Sequence, residues 1–356
     1  MVFAGRQKYN VIIDETRLRK MMKDSGRREF LATAAVGTTV GVAGCTDALT
    51  PDDNGADSGA ADFPSDDIEI ICPFDEGGGT DLTARQLSEQ LEEQLDTSSF
   101  VTNSTGGSGS VGFSEIASAS ADGYTLGILT VEICTVSHLD IGDVTNEDMT
   151  PILQYNFDPA ALTVHEDAPY DTLEEFIEYA EENPGEISVS NSGTGAIWHL
   201  AAAEFEQAAD IELDHIGYEG AAPATEAVLG GEVEATTSSA AEVSSQVQDG
   251  ELEMLAFFGD ERHPAFDDVP TLSEEGYDVT VGAWRGIGGP EGMDEEIVET
   301  LEDAFDDIYD SEEFEEFMEN NNFQLEHRDA EEFGQFMDEE YDRFGELIDE
   351  LGIEGE

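Results

Sequence analysis

Lysine is absent from this chain after residue 23, and that absence sets the terms on which the rest can fold. From Cys45 onward, 312 residues carry five Arg and no Lys against 80 Asp and Glu, a balance of −75. At low ionic strength such a surface repels itself, whereas in molar salt the Debye length falls to about 3 Å and the repulsion is largely screened. The composition therefore points to an extracellular protein of a high-salt environment. Nineteen Phe, nine Tyr and strong apolar periodicity oppose an acidic disordered chain. Nucleic acid and anionic membrane surfaces are excluded as partners, because each needs a basic face. Six His and three Cys with no CxxC or HExxH spacing offer no metal site, and no cofactor is expected.

The missing cations are concentrated at the start. Arg27-Arg28-Glu29-Phe30-Leu31 is a twin-arginine pattern, followed by the uncharged stretch 32–44, too short and too rich in Ala, Gly and Thr to span a bilayer. Val42-Ala43-Gly44-Cys45 then has the order of a lipobox, in which the Cys45 thiol takes the lipid. Residues 1–44 therefore read as a signal peptide for twin-arginine export, with Met21 or Met22 as alternative starts to Met1. Residues 45–67, dominated by Asp, Gly, Ala, Ser and Pro, read as a flexible acidic linker. Together these features predict a haloarchaeal-type lipoprotein, anchored on the outer face of the cytoplasmic membrane.

Beyond the linker the periodicity alternates. Residues 68–74, 124–131, 161–164 and 187–190 read as strands. Residues 80–95, 173–182 and 197–208 read as helices, the second ended by Asn183-Pro184-Gly185. Repeated βα units imply parallel sheets covered by helices. Two further amphipathic helices close the chain, one through Ile297, Leu301, Phe305 and Ile308, the other from Phe333 to Leu351. Their outer faces are almost wholly Asp and Glu, which is a solvated face rather than a site.

Two glycine loops carry the chemistry. Pro73 to Asp81 places Gly77, Gly78 and Gly79 directly before a helix whose first turn holds Thr80 and Asp81. Bare backbone admits close approach, and free N–H groups at the positive end of a helix dipole favour an anion. No GK[ST] follows, so this is not a phosphate-binding P-loop. Asn191 to Leu200 repeats the device, with Ser192, Gly193, Thr194 and Gly195 as the turn. Thr194 can cap the helix or turn its hydroxyl toward a carboxylate. Two such helix starts in two βα halves suggest a pincer closing on a small molecule with acidic ends; a tight structural turn is the plainer alternative for each.

Several stretches, taken in order, resemble one family. PFDEGGGTDLTAR (73–85), TGGSGSVGFSEIASASADGYTLGI (105–128), GTGAIWHLAAAEF (193–205), HIGYEGAAPATEAVLGGEVEA (215–235), DVPTLSEEGYDVTVGAWRGIGGPEGM (268–293) and EEFGQFMDEEYDRFGELI (331–348) are similar to the Bug-type receptors of tripartite tricarboxylate transporters. The resemblance implies an α/β, two-domain, periplasmic-binding-protein-like (type II, Venus-flytrap) fold with central mixed, mainly parallel sheets. It places domain I at 68–164 plus 286–356 and domain II at 165–285. It implies a receptor, not an enzyme, that captures a small mono-, di- or tricarboxylate by closure and delivers it to membrane permease subunits. Two readings stay beside it: a ligand-sensing lipoprotein for a membrane signalling partner, and an exported enzyme acting on a small acid through Asp81 and His199.

Carried over residue by residue, the ligand-binding set implied is Phe74, Gly77, Gly78, Gly79, Thr80, Asp81, Ser192, Gly193, Thr194, Gly195 and His199, with Cys45 lipidated and no catalytic or metal-binding residue. His199 has an equal alternative as a helix-capping or buried structural residue. Asp81 reaches a carboxylate only through a water or a ligand amine, and its simpler role is an i,i+4 pair with Arg85. Asp75-Glu76 stands where the family is usually proline-rich. Cys72 and Cys134 read as buried thiols, or as a disulfide if their Cα atoms lie within about 7 Å. With cations so scarce, Arg285 is the first candidate for a hinge ion pair and Arg85, near the pocket, the second.

Overall fold

A computed structural model describes residues 63–218 and 220–353. The twin arginines, the lipobox with Cys45 and most of the linker lie outside the described residues. Among the described residues the strands are β1 (Ile68–Cys72), β2 (Ser99–Asn103), β3 (Thr125–Thr130), β4 (Met149–His165), β5 (Ser188–Asn191), β6 (Asp214–Gly217), β7 (Ala235–Ser239), β8 (Leu252–Phe258), β9 (Gly282–Pro290) and β10 (Leu325–Arg328). The helices are α1 (Gly79–Leu95), α2 (Ser110–Ala117), α3 (Leu173–Glu182), α4 (Ile197–Ala209), α5 (Ala221–Leu229), α6 (Ala240–Gln248), α7 (Glu295–Tyr309), α8 (Glu312–Asn320) and α9 (Ala330–Leu351). No helix among them is long and apolar enough to cross a membrane.

The sheet runs β2-β1-β3-β9-β4-β7-β5-β6, with β10 and β8 also paired to β4. Its flanks are parallel, β2-β1-β3 on one side and β7-β5-β6 on the other, as the βα alternation predicts. Its middle is antiparallel, from β3 through β9 and β4 to β7. The 17-residue β4 serves both sides: Met149–Pro159 pairs with β9, and Ala160–His165 pairs with β7 and β8. This crossing at Pro159–Ala160 is the waist of the fold.

The helices form where apolar residues recur three and four apart. In α1, Ala84, Leu87 and Leu91 are fully buried, and α4 buries Leu200, Ala201 and Phe205 in the same way. Burying each large side chain contributes roughly 1.5–3 kcal/mol. One apolar cluster runs through the waist, joining Leu129 and Leu162 of the sheet to Phe205 of α4, Trp284 of β9, and Phe333 and Phe344 of α9. A second packs α1, α7 and α8 on β1, β3 and β9, and a third packs α5 and α6 on β8. Cys72 and Cys134 are free, buried thiols in different clusters, so the disulfide alternative is not realised.

Candidate functional site

Strand direction brings the two glycine loops to one place. Because β3, β9, β4 and β7 alternate in direction while β1 follows β3 and β5 follows β7, the two parallel flanks run toward each other. Thr130, at the end of β3, is level with Arg285 and Asn156; Ser239, at the end of β7, is level with Ala160. The carboxyl ends of β1 and β5, from which the loops spring, therefore both point at the waist.

At the first loop, Gly77 and Gly78 are exposed and Gly77 takes a positive φ of 84°. No side chain caps α1. Instead the Gly77 N–H donates to Asp81 Oδ2 at 2.9 Å, and Asp81, 2% exposed, also accepts from Arg85 at 2.8 and 3.0 Å and from Asn103 Nδ2 at 2.8 Å. Burial raises the Asp81 pKa, but the bonds from Arg85, Gly77 and Asn103 outweigh it and hold the carboxyl below its usual range. Asp81 thus has the i,i+4 partner the sequence suggested and braces the loop. The N–H groups of Gly79, Thr80 and Asp81 take no partner among the described residues. Phe74 is half-buried, its ring beside Gly109, and Asp75 and Glu76 are exposed, with Glu76 3.9 Å from Arg85.

At the second loop the N-cap of α4 is Ala196, without a side-chain bond, so Thr194 is not the cap; it is exposed, beside Gly217. Gly193 N–H donates to Asn191 Oδ1 at 3.1 Å, and Gly195 N–H donates to His199 Nδ1 at 3.0 Å. His199 thereby pins the loop. Its ring meets His215 edge-on, and His215 in turn bonds Glu206. Burial, with His215 adding to it, pushes the His199 pKa down to about 4, which keeps Nδ1 free to accept. The N–H groups of Thr194, Ile197 and Trp198 are left without a partner among the described residues. Each helix start thus presents three unpaired donors at the positive end of a helix dipole, a setting that suits a carboxylate.

Between the loops lies a cation. Arg285 donates through Nη1 to Asp158 at 2.8 Å and through Nε to Thr80 Oγ1 at 3.2 Å, while Nη2 lies against Gly79. Asp158 is 3% exposed and also accepts from Asn156 and from the Gln324 N–H. Arg285 therefore has an ion-pair partner, Asp158, and it also reaches into the first loop, which the sequence reading did not foresee. Sequence reasoning quoted Thr105 to Ser110 within the resemblance but gave it no place at the site; it packs Gly109 on Phe74 and Phe113 and Gly107 beside Ile141. A glycine run between a strand and a helix was the available signal.

A cavity of about 950 Å³ lies elsewhere, among Phe157, His263, Gln324, Phe336 and Arg343, and none of the loop residues lines it. Among the described residues no cluster of three His, Cys, Asp or Glu could hold a metal.

Comparison with known proteins agrees with this geometry. Residues 83–353 match the family described as Tripartite tricarboxylate transporter family receptor. A TctC solute binding protein from Polaromonas shares 35% identity at a TM-score of 0.75, covering 81% of this chain and 100% of that one. A Rhodopseudomonas palustris protein, solved with adipate, shares 26% identity at a TM-score of 0.71 over 83% of this chain and 100% of its own. Protein BugT of Bordetella pertussis is 30% identical over 246 residues, 67% of this chain and 75% of that protein. The chain belongs to the TctC/Bug family of tripartite tricarboxylate transporter receptors, α/β solute-binding proteins of the periplasmic-binding-protein fold.

Proposed function

We propose that this receptor captures a small organic carboxylate between the two glycine loops and delivers it to the permease subunits of a tripartite tricarboxylate transporter. The observation that carries the proposal is the convergence of two helix starts with unpaired N–H groups on the waist, from opposite directions. Phe74, Gly77, Gly78, Gly79, Thr80 and Asp81 form one jaw; Ser192, Gly193, Thr194, Gly195 and His199 form the other. Asp81 and His199 position loop amides, and the amides meet the ligand. Closure swings 165–285 against 68–164 plus 286–356 about the waist. Capture without turnover is the whole activity. The adipate in the Rhodopseudomonas relative supports the ligand class.

Twin-arginine export, lipidation at Cys45 and a high-salt, extracellular setting complete the proposal; they rest on the sequence alone. The test is thermal unfolding of the mature protein in molar salt with a panel of organic acids. A ligand at 100 times its Kd stabilises by about 2.7 kcal/mol, an easily measured rise in Tm. Folded protein whose Tm no carboxylate moves would overturn the proposal. Binding of an anionic ligand should also strengthen as salt rises to molar levels, because the acidic surface is then screened.

A further inference from the structure

Asn103 ends β2 and is level with Cys72, the end of β1, where the chain leaves the sheet for the first glycine loop. One carboxamide there holds both ends of that loop. Its Nδ2 donates to the Phe74 carbonyl, where the loop begins, at 2.9 Å, and to Asp81 Oδ1, in the first turn of α1, at 2.8 Å. Its Oδ1 accepts from Arg85 Nη2 at 3.0 Å. These neighbours fix which end is nitrogen: turned over, the amide would set its oxygen against a carbonyl and a carboxylate, and its nitrogen against a guanidinium.

The clamp reaches the middle of the loop as well, because Asp81 Oδ2 accepts from the Gly77 N–H at 2.9 Å. Residues 74, 77 and 81 are thereby tied together through two side chains, and Gly79 and Thr80, with their unpaired N–H groups, lie between the tied points. An acid of the same shape would fail here. Its oxygens would face the Phe74 carbonyl and the Asp81 carboxylate with no hydrogen to give, so an amide stands in a stretch of chain where 80 of 312 residues are acidic. Asn103 also opens Asn103-Ser104-Thr105, the one Asn-X-Ser/Thr triplet in the sequence, a pattern that marks a glycan acceptor in an exported protein. Attachment replaces a hydrogen on Nδ2, and both hydrogens are already bonded inside the site. The two uses exclude each other.

We propose that Asn103 is the positioning residue of the first loop, holding its backbone donors in place, and that its triplet carries no glycan in the folded protein. Asn103 acts through Phe74 and Asp81 rather than on the ligand itself. The consequence for capture rests on the receptor reading above. The clamp does not, and it is tested without a ligand, so its failure leaves the receptor standing.

Hydrogen–deuterium exchange in molar potassium chloride reads the clamp directly. Segment 77–85 contains the bonded Gly77 N–H and the first turns of α1; segment 195–203 is its counterpart at the second loop. Asn103→Ala should speed exchange of the bonded amides in 77–85 about tenfold, the worth of one hydrogen bond to a charged group, and leave 195–203 within about twofold. Asn103→Asp keeps the shape and replaces donor by acceptor, so it should loosen 77–85 at least as much. Wild-type protection in the Asp variant would show that shape alone matters and would overturn the assignment. So would exchange in 77–85 that neither variant changes, or that rises equally in both segments, which is a general loss of stability. Peptide mapping of the protein exported by a host that N-glycosylates should find Asn103 unmodified, and a glycan there would overturn the proposal as well.

Discussion

The two glycine loops solve the same problem with opposite chemistry. In each, a loop glycine N–H closes onto a side chain four residues later, in the first turn of the helix: Gly77 onto Asp81, Gly195 onto His199. The first acceptor is a carboxylate, kept ionised by Arg85 and Asn103. The second is a neutral imidazole, with no arginine bonded to it among the described residues. The difference teaches how a chain with five Arg in its folded part spends them. Where an arginine can be spared, a charged acceptor stiffens the helix start; where none can, a histidine whose pKa falls to about 4 supplies a lone pair without adding negative charge near an anion site.

The largest effect expected from breaking this arrangement is at Arg285, which serves the first loop and the waist together. Arg285→Met removes the partner of Asp158, which is 3% exposed, and frees Thr80 Oγ1. Stranding one member of a buried ion pair costs about 3–5 kcal/mol. Denaturant unfolding in molar salt should show a loss of that size, and a loss below about 1 kcal/mol would reduce Arg285 to an ordinary surface pair.

Next comes Gly195→Ala in the second loop. Gly195 has a φ of 78°, and a Cβ there would lie 2.9 Å from Leu139 Cδ2. Left-handed strain adds about 1 kcal/mol and crowding a further 1–2, so unfolding should register a loss of about 2–3 kcal/mol. His199→Asn, which keeps an acceptor for Gly195, is smaller and depends on pH. The folded pKa of about 4 lies below the ordinary 6.5, so the unfolded chain takes up a proton that the native state refuses between those values. Stability from this residue is therefore present above the unfolded pKa and is lost as pH falls through 6.5 toward 4, by about 3 kcal/mol. Stability curves of the two proteins should converge on acidification; parallel curves would mean that His199 is not held neutral.

Elements with clean periodicity were legible in the sequence. The helix read at 173–182 is the α3 observed, and 197–208 falls one residue short of α4. The first half of β4 escaped notice because Pro151, Asn156, Asp158 and Pro159 break its apolar pattern, and β9 because four of its nine residues are glycine. Those glycines make sense only in three dimensions, where Phe333 and Leu129 fill the space over Gly286 and Gly288. Scarcity marked Arg285 as a cation with a specific acceptor, which Asp158 is, since a rare residue type carries information.

The smallest effect expected is Gly77→Ala, and it sharpens the comparison most. Gly77 has a φ of 84°, within a few degrees of Gly195, so the backbone strain of adding a methyl is the same at both. A Cβ at Gly77 meets nothing within 4 Å. The whole cost is then conformational, about 1 kcal/mol in denaturant unfolding, and the excess cost of Gly195→Ala over Gly77→Ala isolates the crowding by Leu139. Equal losses at the two positions would mean that the first loop is as closely packed as the second. A loop packed in that way offers no open backbone at Gly79 and Thr80, and a carboxylate could not reach the donors that the proposed capture requires.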